Sequence, residues 1–172
     1  MVSDILIKRM ETFEEIEGKA KVHYQAWQQT YRGQLPDAYL DQMSIESCLA
    51  VARRWTDNVI IAKDGEKVIG FAAYGAYQRG RNETEQSGVE MGEIYGLYLL
   101  QEYQKKGIGY RLMSAAMDQL TNYSIVALWV LKDNQKAIPF YLRYGFRFDG
   151  EQKQLLIGDI VHEQRMIFSR ET

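Results

Sequence analysis

Residues 93–110, Glu-Ile-Tyr-Gly-Leu-Tyr-Leu-Leu-Gln-Glu-Tyr-Gln-Lys-Lys-Gly-Ile-Gly-Tyr, constrain this chain more than any other stretch. The first half reads as an apolar strand; a short turn with two glycines and the start of an amphipathic helix follow. A glycine turn feeding a helix N-terminus points several unpaired backbone N–H groups at one spot, and the helix dipole adds positive potential there. Such a spot suits a phosphate. Gly107 and Gly109 let an anion approach backbone that a Cβ would screen. Lys105 and Lys106 add positive charge at the same turn, although a plain solvated pair would look the same. A lone Gly-x-Gly is a weak signal, but its place between strand and helix is the setting a phosphate nest requires.

Bulk properties narrow the rest. The chain has 172 residues, enough for one domain with its own core. A net charge of −2 argues against a nucleic-acid partner held by overall charge. Cys48 is the single cysteine, so no internal disulfide forms and no cysteine zinc site is expected. It reads as a small buried residue on a helix, and no metal is expected. No leader-like segment or apolar run of membrane-spanning length stands out. The expectation is a cytoplasmic protein without a membrane partner.

Periodicity orders the elements. Residues 4–9 alternate as a strand, and 13–31 carry Ile16, Ala20, Tyr24 and Trp27 at helical spacing. After the break at Gly33 and Pro36 a second helical region follows, with Ser44 as N-cap for the part reaching Trp55. Residues 59–62 and 67–77 read as strands joined by a turn at Asp64-Gly65. Residues 79–88 are polar and read as a mobile loop. The central strand is predicted at 90–100, a helix at 107–120 and a strand at 125–131, the last buried on both faces. Asp133 or Asn134 caps the next helix, Gly145 ends it, and Pro139 inside it is expected to bend it or cost a hydrogen bond. Residues 146–153 and 159–169 close the sheet. This order gives an α/β mixed sheet with helices on both faces and a right-handed parallel crossover.

Gln104, Gly107 and Gly109 fit the pattern Gln or Arg, two residues, Gly, one residue, Gly or Ala. Downstream, Asn134, Ala137, Phe140, Tyr141, Gly145 and Phe146 fit Asn, two residues, Ala, two residues, Phe-Tyr, three residues, Gly-Phe. In this order, joined by an apolar strand, the two motifs resemble those of the GCN5-related N-acetyltransferases. The resemblance covers essentially the whole chain as a single domain. It implies the acyl-CoA N-acyltransferase fold, a seven-stranded mixed sheet flanked by about four helices. It also implies that acetyl-CoA binds where the strands around Leu99 and Leu128 splay apart. The backbone of Leu97, Tyr98 and Leu99 would pair with the pantetheine amides. The stretch Gln104, Lys105, Lys106, Gly107, Ile108, Gly109 and Tyr110 would hold the pyrophosphate. Asn134 would contact the pantetheine arm, with Ala137 and Phe140 packed beside it. Gln101 stands where the family commonly has proline.

Acetyl transfer to an amine needs a base for the ammonium, a donor for the developing oxyanion and a proton for the leaving thiolate. By the resemblance, Tyr141 is the general acid, the Leu99 N–H the oxyanion donor and Glu93 a base acting through water. Core packing is the plainer role for Tyr141, and a solvated strand end for Glu93. His23, Trp27 and Tyr31 share one helical face. Trp27 and Tyr31 either pack in the core or wall the acceptor pocket, where an aromatic surface suits an aliphatic chain or a cation. The resemblance implies direct transfer in a ternary complex to a small primary amine such as a polyamine, and a possible homodimer through the C-terminal strands. Acetylation of a protein N-terminus or lysine, and a non-catalytic acyl-CoA sensor, are the competing readings.

Overall fold

The computed structural model describes residues 4–78 and 89–170. The loop expected at 79–88, with Glu83 and Glu85, lies outside the described residues. Strands β1 (Ile5–Arg9), β2 (Val59–Asp64), β3 (Lys67–Ala76), β4 (Met91–Leu99), β5 (Ile125–Leu131), β6 (Arg147–Ile157) and β7 (Asp159–Ser169) form one seven-stranded sheet in the order β1-β2-β3-β4-β5-β7-β6. Among the strands of the described residues only β4 and β5 run parallel, joined by helix α4 (Ile108–Asp118). Helix α1 (Phe13–Tyr31) packs on β3 and β4 and against α3 (Ile45–Arg54), while α4 packs on β1 to β4. Helix α5 (Ala137–Tyr144) lies beside α4, where the Ser114 and Tyr144 hydroxyls are 3.2 Å apart. Val22 and Ala26 of α1 and Leu112, Met113 and Ala116 of α4 are buried in the core with Ile61, Phe71 and Leu128. Among the described residues no helix is long and apolar enough to cross a membrane.

Local chemistry explains several boundaries. The Thr12 hydroxyl accepts from the Glu15 N–H at 3.1 Å, and the Glu15 carboxylate accepts from the Thr12 N–H at 3.2 Å, a reciprocal cap that starts α1. The other Glu15 oxygen meets Lys8 Nζ at 2.7 Å and Lys63 Nζ at 3.3 Å, tying the helix start to β1 and β2. Burial alone would raise the Glu15 pKa, but Lys8, the N–H groups of Glu11 and Thr12, and Lys63 together lower it to about 2. Because the folded pKa lies below the unfolded one, this contribution is full above pH 4.5 and is lost as pH falls toward 2. Glu15→Ala is expected to destabilise the protein by about 2 kcal/mol at neutral pH. Chemical denaturation of both proteins should show the gap closing between pH 4.5 and 2; a gap that is constant with pH would remove the ion pairs from the account.

The structure amends two expectations and sharpens two. The second helical region is two helices, α2 (Asp37–Gln42) and α3, parted at Met43 and capped at Ser44. The Ile138 N–H already donates to the Asn134 carbonyl at 3.2 Å, so the next helical donor would be residue 139, and proline there costs that bond as expected. The side chain of Asn134 accepts from the Ala137 N–H at 3.2 Å, so the cap falls to Asn134 and not to Asp133. Strand β6 runs to Ile157, beyond the expected end, after a register break between Phe148 and Gln152 that holds Gly150 at φ 92°. Gly145 ends α5 as expected: its φ is 127°, and a Cβ there would stand 2.9 Å from the Phe168 ring.

Candidate active site

A bulge opens the sheet at its centre. Strand β3 sets Ala73 opposite Gly96 and Tyr74 opposite Ile94, so Tyr95 is an extra residue in β4. Such an insertion bends its strand and raises the local twist. The parallel pairing of β4 with β5 runs only from Met91–Ile125 to Ile94–Leu128, although β4 continues to Leu99 and β5 to Leu131. Beyond Ile94 the two strands part. Leu97, Tyr98 and Leu99 pair with Ala72, Phe71 and Gly70 on one edge, and no strand is paired along their other edge among the described residues. That edge offers backbone donors and acceptors to an extended chain bearing amides.

The phosphate-type turn closes the mouth of this opening. After a 3-10 turn at Gln101–Tyr103, the Gln104 side chain donates to the Leu99 carbonyl at 3.0 Å and ties the turn back to β4. Lys105 has φ 62°, an uncommon backbone for a residue with a Cβ. Gly107 caps α4 at φ 81°, and a Cβ built on it would meet nothing within 4 Å. Glycine is therefore needed there for its backbone conformation, in open space that a ligand is free to enter. At Gly109, by contrast, a Cβ would make ordinary contact with the Phe140 ring at 3.5 Å. Lys105, Lys106 and Tyr110 are exposed, and Ile108 is buried. Lys106 Nζ lies 5.8 Å from the Tyr103 ring centre, and the Tyr110 and Tyr144 rings are 5.0 Å apart.

Helix α5 brings the second motif to the same opening. Asn134 is buried, and Ala137 and Phe140 are packed on the core. The Tyr141 ring packs against Phe140 at 5.6 Å and Phe146 at 6.1 Å, but the residue keeps some accessible surface. Burial first, then the proximity of Tyr31, raise the Tyr141 pKa, so the hydroxyl holds its proton at neutral pH.

The opposite wall comes from α1. Trp27 packs edge-on to Tyr31 at 4.8 Å, and the Tyr31 and Tyr98 hydroxyls are 3.0 Å apart. Trp27 and Tyr31 thus pack against the sheet and also bring a hydroxyl to the opening. Burial, then the proximity of Tyr31, Tyr141 and Glu163, push the Tyr98 pKa well above its ordinary value. Burial, with Lys19, lowers the His23 pKa to about 4, which keeps that ring neutral. Glu93 pairs with Gly75 and Ala127 and is buried, and its carboxylate accepts from the Gln78 N–H at 3.1 Å. A solvated strand end does not describe it. Cys48 is buried between α1 and α3 against Ala20 and Ala52, and burial raises its thiol pKa.

The sequence did not point to Trp129, Lys153 and Glu163, nor to the hydroxyl of Tyr98. Trp129, Arg165 and Glu163 fall on one face because β5 pairs Trp129 with Arg165 and Leu131 with Glu163. The two-residue alternation of β7 was a usable signal, but only once its partner strands were known. A cleft of about 400 Å³ leads to this side, lined by Gly33 to Asp37 of the α1–α2 connection and by Asp159, Ile160 and Val161 of β7.

The profile of the acetyltransferase (GNAT) family matches residues 22–146. The uncharacterized N-acetyltransferase YuaI of Bacillus subtilis is 32% identical over 138 residues, 76% of this chain and 74% of that protein. The spermine/spermidine N(1)-acetyltransferase of Bacillus subtilis is 28% identical over 87 residues, 49% of this chain and 55% of that protein. The crystal structure of the PaiA N-acetyltransferase from Thermoplasma acidophilum in complex with coenzyme A has the same fold. Its TM-score is 0.69 at 22% identity, over 96% of this chain and 99% of that one. With the motifs, the parted strands and the profile in agreement, the chain belongs to the acetyltransferase (GNAT) family and is an acetyl-CoA-dependent N-acetyltransferase.

Proposed function

We propose that the protein moves the acetyl group of acetyl-CoA directly to the primary amine of a small, extended polycation of the polyamine class, in a ternary complex. The parting of β4 and β5 after Ile94–Leu128 carries this reading, because it opens a path from the α4 side to the aromatic wall of α1. The open edge of Leu97, Tyr98 and Leu99 fits the pantetheine amides, and the turn from Gln104 to Tyr110 fits the pyrophosphate. Asn134, Ala137 and Phe140 border the arm. Tyr141 keeps its proton until the thiolate leaves, and the Leu99 N–H faces the charge that develops on the acetyl oxygen. Glu93 takes the amine proton through water. Trp27 and Tyr31 line the acceptor side, where Asp37 and Asp159 border the cleft. The spermine/spermidine relative supports the acceptor class. One buried thiol and acetyl-CoA as donor fit a cytoplasmic place of work.

Direct transfer has a kinetic signature. Initial rates measured against both substrates should give intersecting lines, and Cys48→Ser should retain turnover. Parallel lines would indicate an acetylated enzyme and contradict direct transfer. The pyrophosphate turn has its own test. Gly109→Ala is expected to raise the KM for acetyl-CoA by about tenfold, the cost of disturbing charge-assisted hydrogen bonds. The same change is expected to stabilise the free protein by about 0.5 kcal/mol, since alanine is the better helix residue and its Cβ fits. Thermal melting and acetyl-CoA saturation curves separate the two effects; an unchanged KM would move the phosphates elsewhere.

A further inference from the structure

The face of β5, β7 and β6 that continues the acceptor side carries an ammonium site already filled by the chain itself. Lys153 stands opposite Glu163 in the β6–β7 register, and its Nζ lies 3.6 Å from the Glu163 carboxylate. The same Nζ sits 4.2 Å above the centre of the Trp129 ring. A carboxylate beside an aromatic face is a recognised setting for a cation. Glu163 is 17% exposed and Lys153 35% exposed, so the carboxylate is the fixed partner and the lysine the movable one.

The neighbouring ion pair shows the contrast. Arg165, on the same face of β7, meets Asp149 at 2.6 Å through Nη2 and at 2.8 Å through Nε, and it also donates to the Tyr77 hydroxyl at 3.1 Å. Two guanidinium nitrogens converge on one Asp149 oxygen, a short charge-assisted pair that is built to stay. The Lys153–Glu163 contact is longer than a hydrogen bond, and lysine has a flexible stem that reaches water. Glu163 also lies within electrostatic reach of Tyr31 and Tyr98, the hydroxyl pair at the opening. On the same face of β7, Val161 and Asp159 lead from Glu163 to the cleft.

We propose that Glu163 and Trp129 bind the distal ammonium of a diamine or polyamine acceptor, and that Lys153 occupies this place until the acceptor displaces it. This rests on the acceptor class proposed above. The exchange replaces one cation by another, so the half-buried carboxylate is never left unpaired. An acceptor without a second positive charge gains nothing from the site, which makes Glu163 a specificity-determining residue.

The test compares spermidine with n-butylamine as acceptors at saturating acetyl-CoA, in the wild type, Glu163→Gln and Lys153→Met, each checked for folding by thermal melting. Glu163→Gln is expected to raise the spermidine KM by about tenfold, the loss of one contact to a charged group. The KM values for n-butylamine and acetyl-CoA stay where they are. Lys153→Met is expected to lower the spermidine KM by about threefold, the strength of a partly exposed ion pair that no longer competes. Equal KM changes for both amines in Glu163→Gln, or a raised spermidine KM in Lys153→Met, would overturn the assignment alone. A folded wild type inactive on both amines would overturn the acceptor class and the assignment with it.

Discussion

Tyr141→Phe is expected to lower kcat by about 10²- to 10³-fold, the usual worth of a positioned general acid. Acetyl-CoA affinity should not change, because the ring that packs against Phe140 and Phe146 is retained. The size of the effect follows from the environment. Burial and the proximity of Tyr31 raise the Tyr141 pKa, so the hydroxyl is fully protonated at neutral pH. An ordinary phenol has a pKa near that of a thiol, so the proton passes to sulfur as the C–S bond breaks and charge builds there. Single-turnover kinetics with calorimetry of acetyl-CoA binding would separate the two quantities. A variant that binds and turns over like the wild type would transfer the acid role elsewhere. Unchanged binding and signalling with no turnover in either protein would favour a sensor.

Phe146→Ala is expected to destabilise the fold by about 3–5 kcal/mol, the range for truncating a buried aromatic residue. Phe146 is completely buried, with the Phe168 ring at 5.6 Å, Tyr144 at 6.0 Å and Tyr141 at 6.1 Å. It follows Gly145, where the chain turns from α5 into β6, and its N–H donates to the Tyr141 carbonyl at 3.0 Å. The cavity therefore forms directly behind the proposed acid. The expected sign is a fall in both denaturation midpoint and kcat, with Phe146→Leu recovering most of the stability. A stable Phe146→Ala protein would show that the aromatic cluster collapses around the gap at little cost.

The helix of the phosphate turn was legible because its apolar stripe, from Ile108 through Leu112 to Ala116, has the helical period and its glycines mark the start. The end of α5 was legible because Gly145 supplies a backbone that other residues avoid. Its beginning was legible as well, because Asn134 offers a capping side chain to the Ala137 N–H three residues on. Strand β6 was cut short because Leu155, Leu156 and Ile157 are apolar without alternation, and Leu156 is left exposed in the hairpin with β7. The donor side of the site is local in sequence, within a strand, a turn and two helix starts. The acceptor side is not. Trp129, Lys153 and Glu163 sit on three strands, and the order β5-β7-β6 that gathers them is a property of the sheet.

The most direct measurement is CoA thiol release from acetyl-CoA by the folded chain across polyamines, amino acids, aminoglycosides and short basic peptides. The account predicts release that depends on the amine and is fastest with polyamines. Tight acetyl-CoA binding with no release for any amine would contradict it and leave a binding module in place of an enzyme.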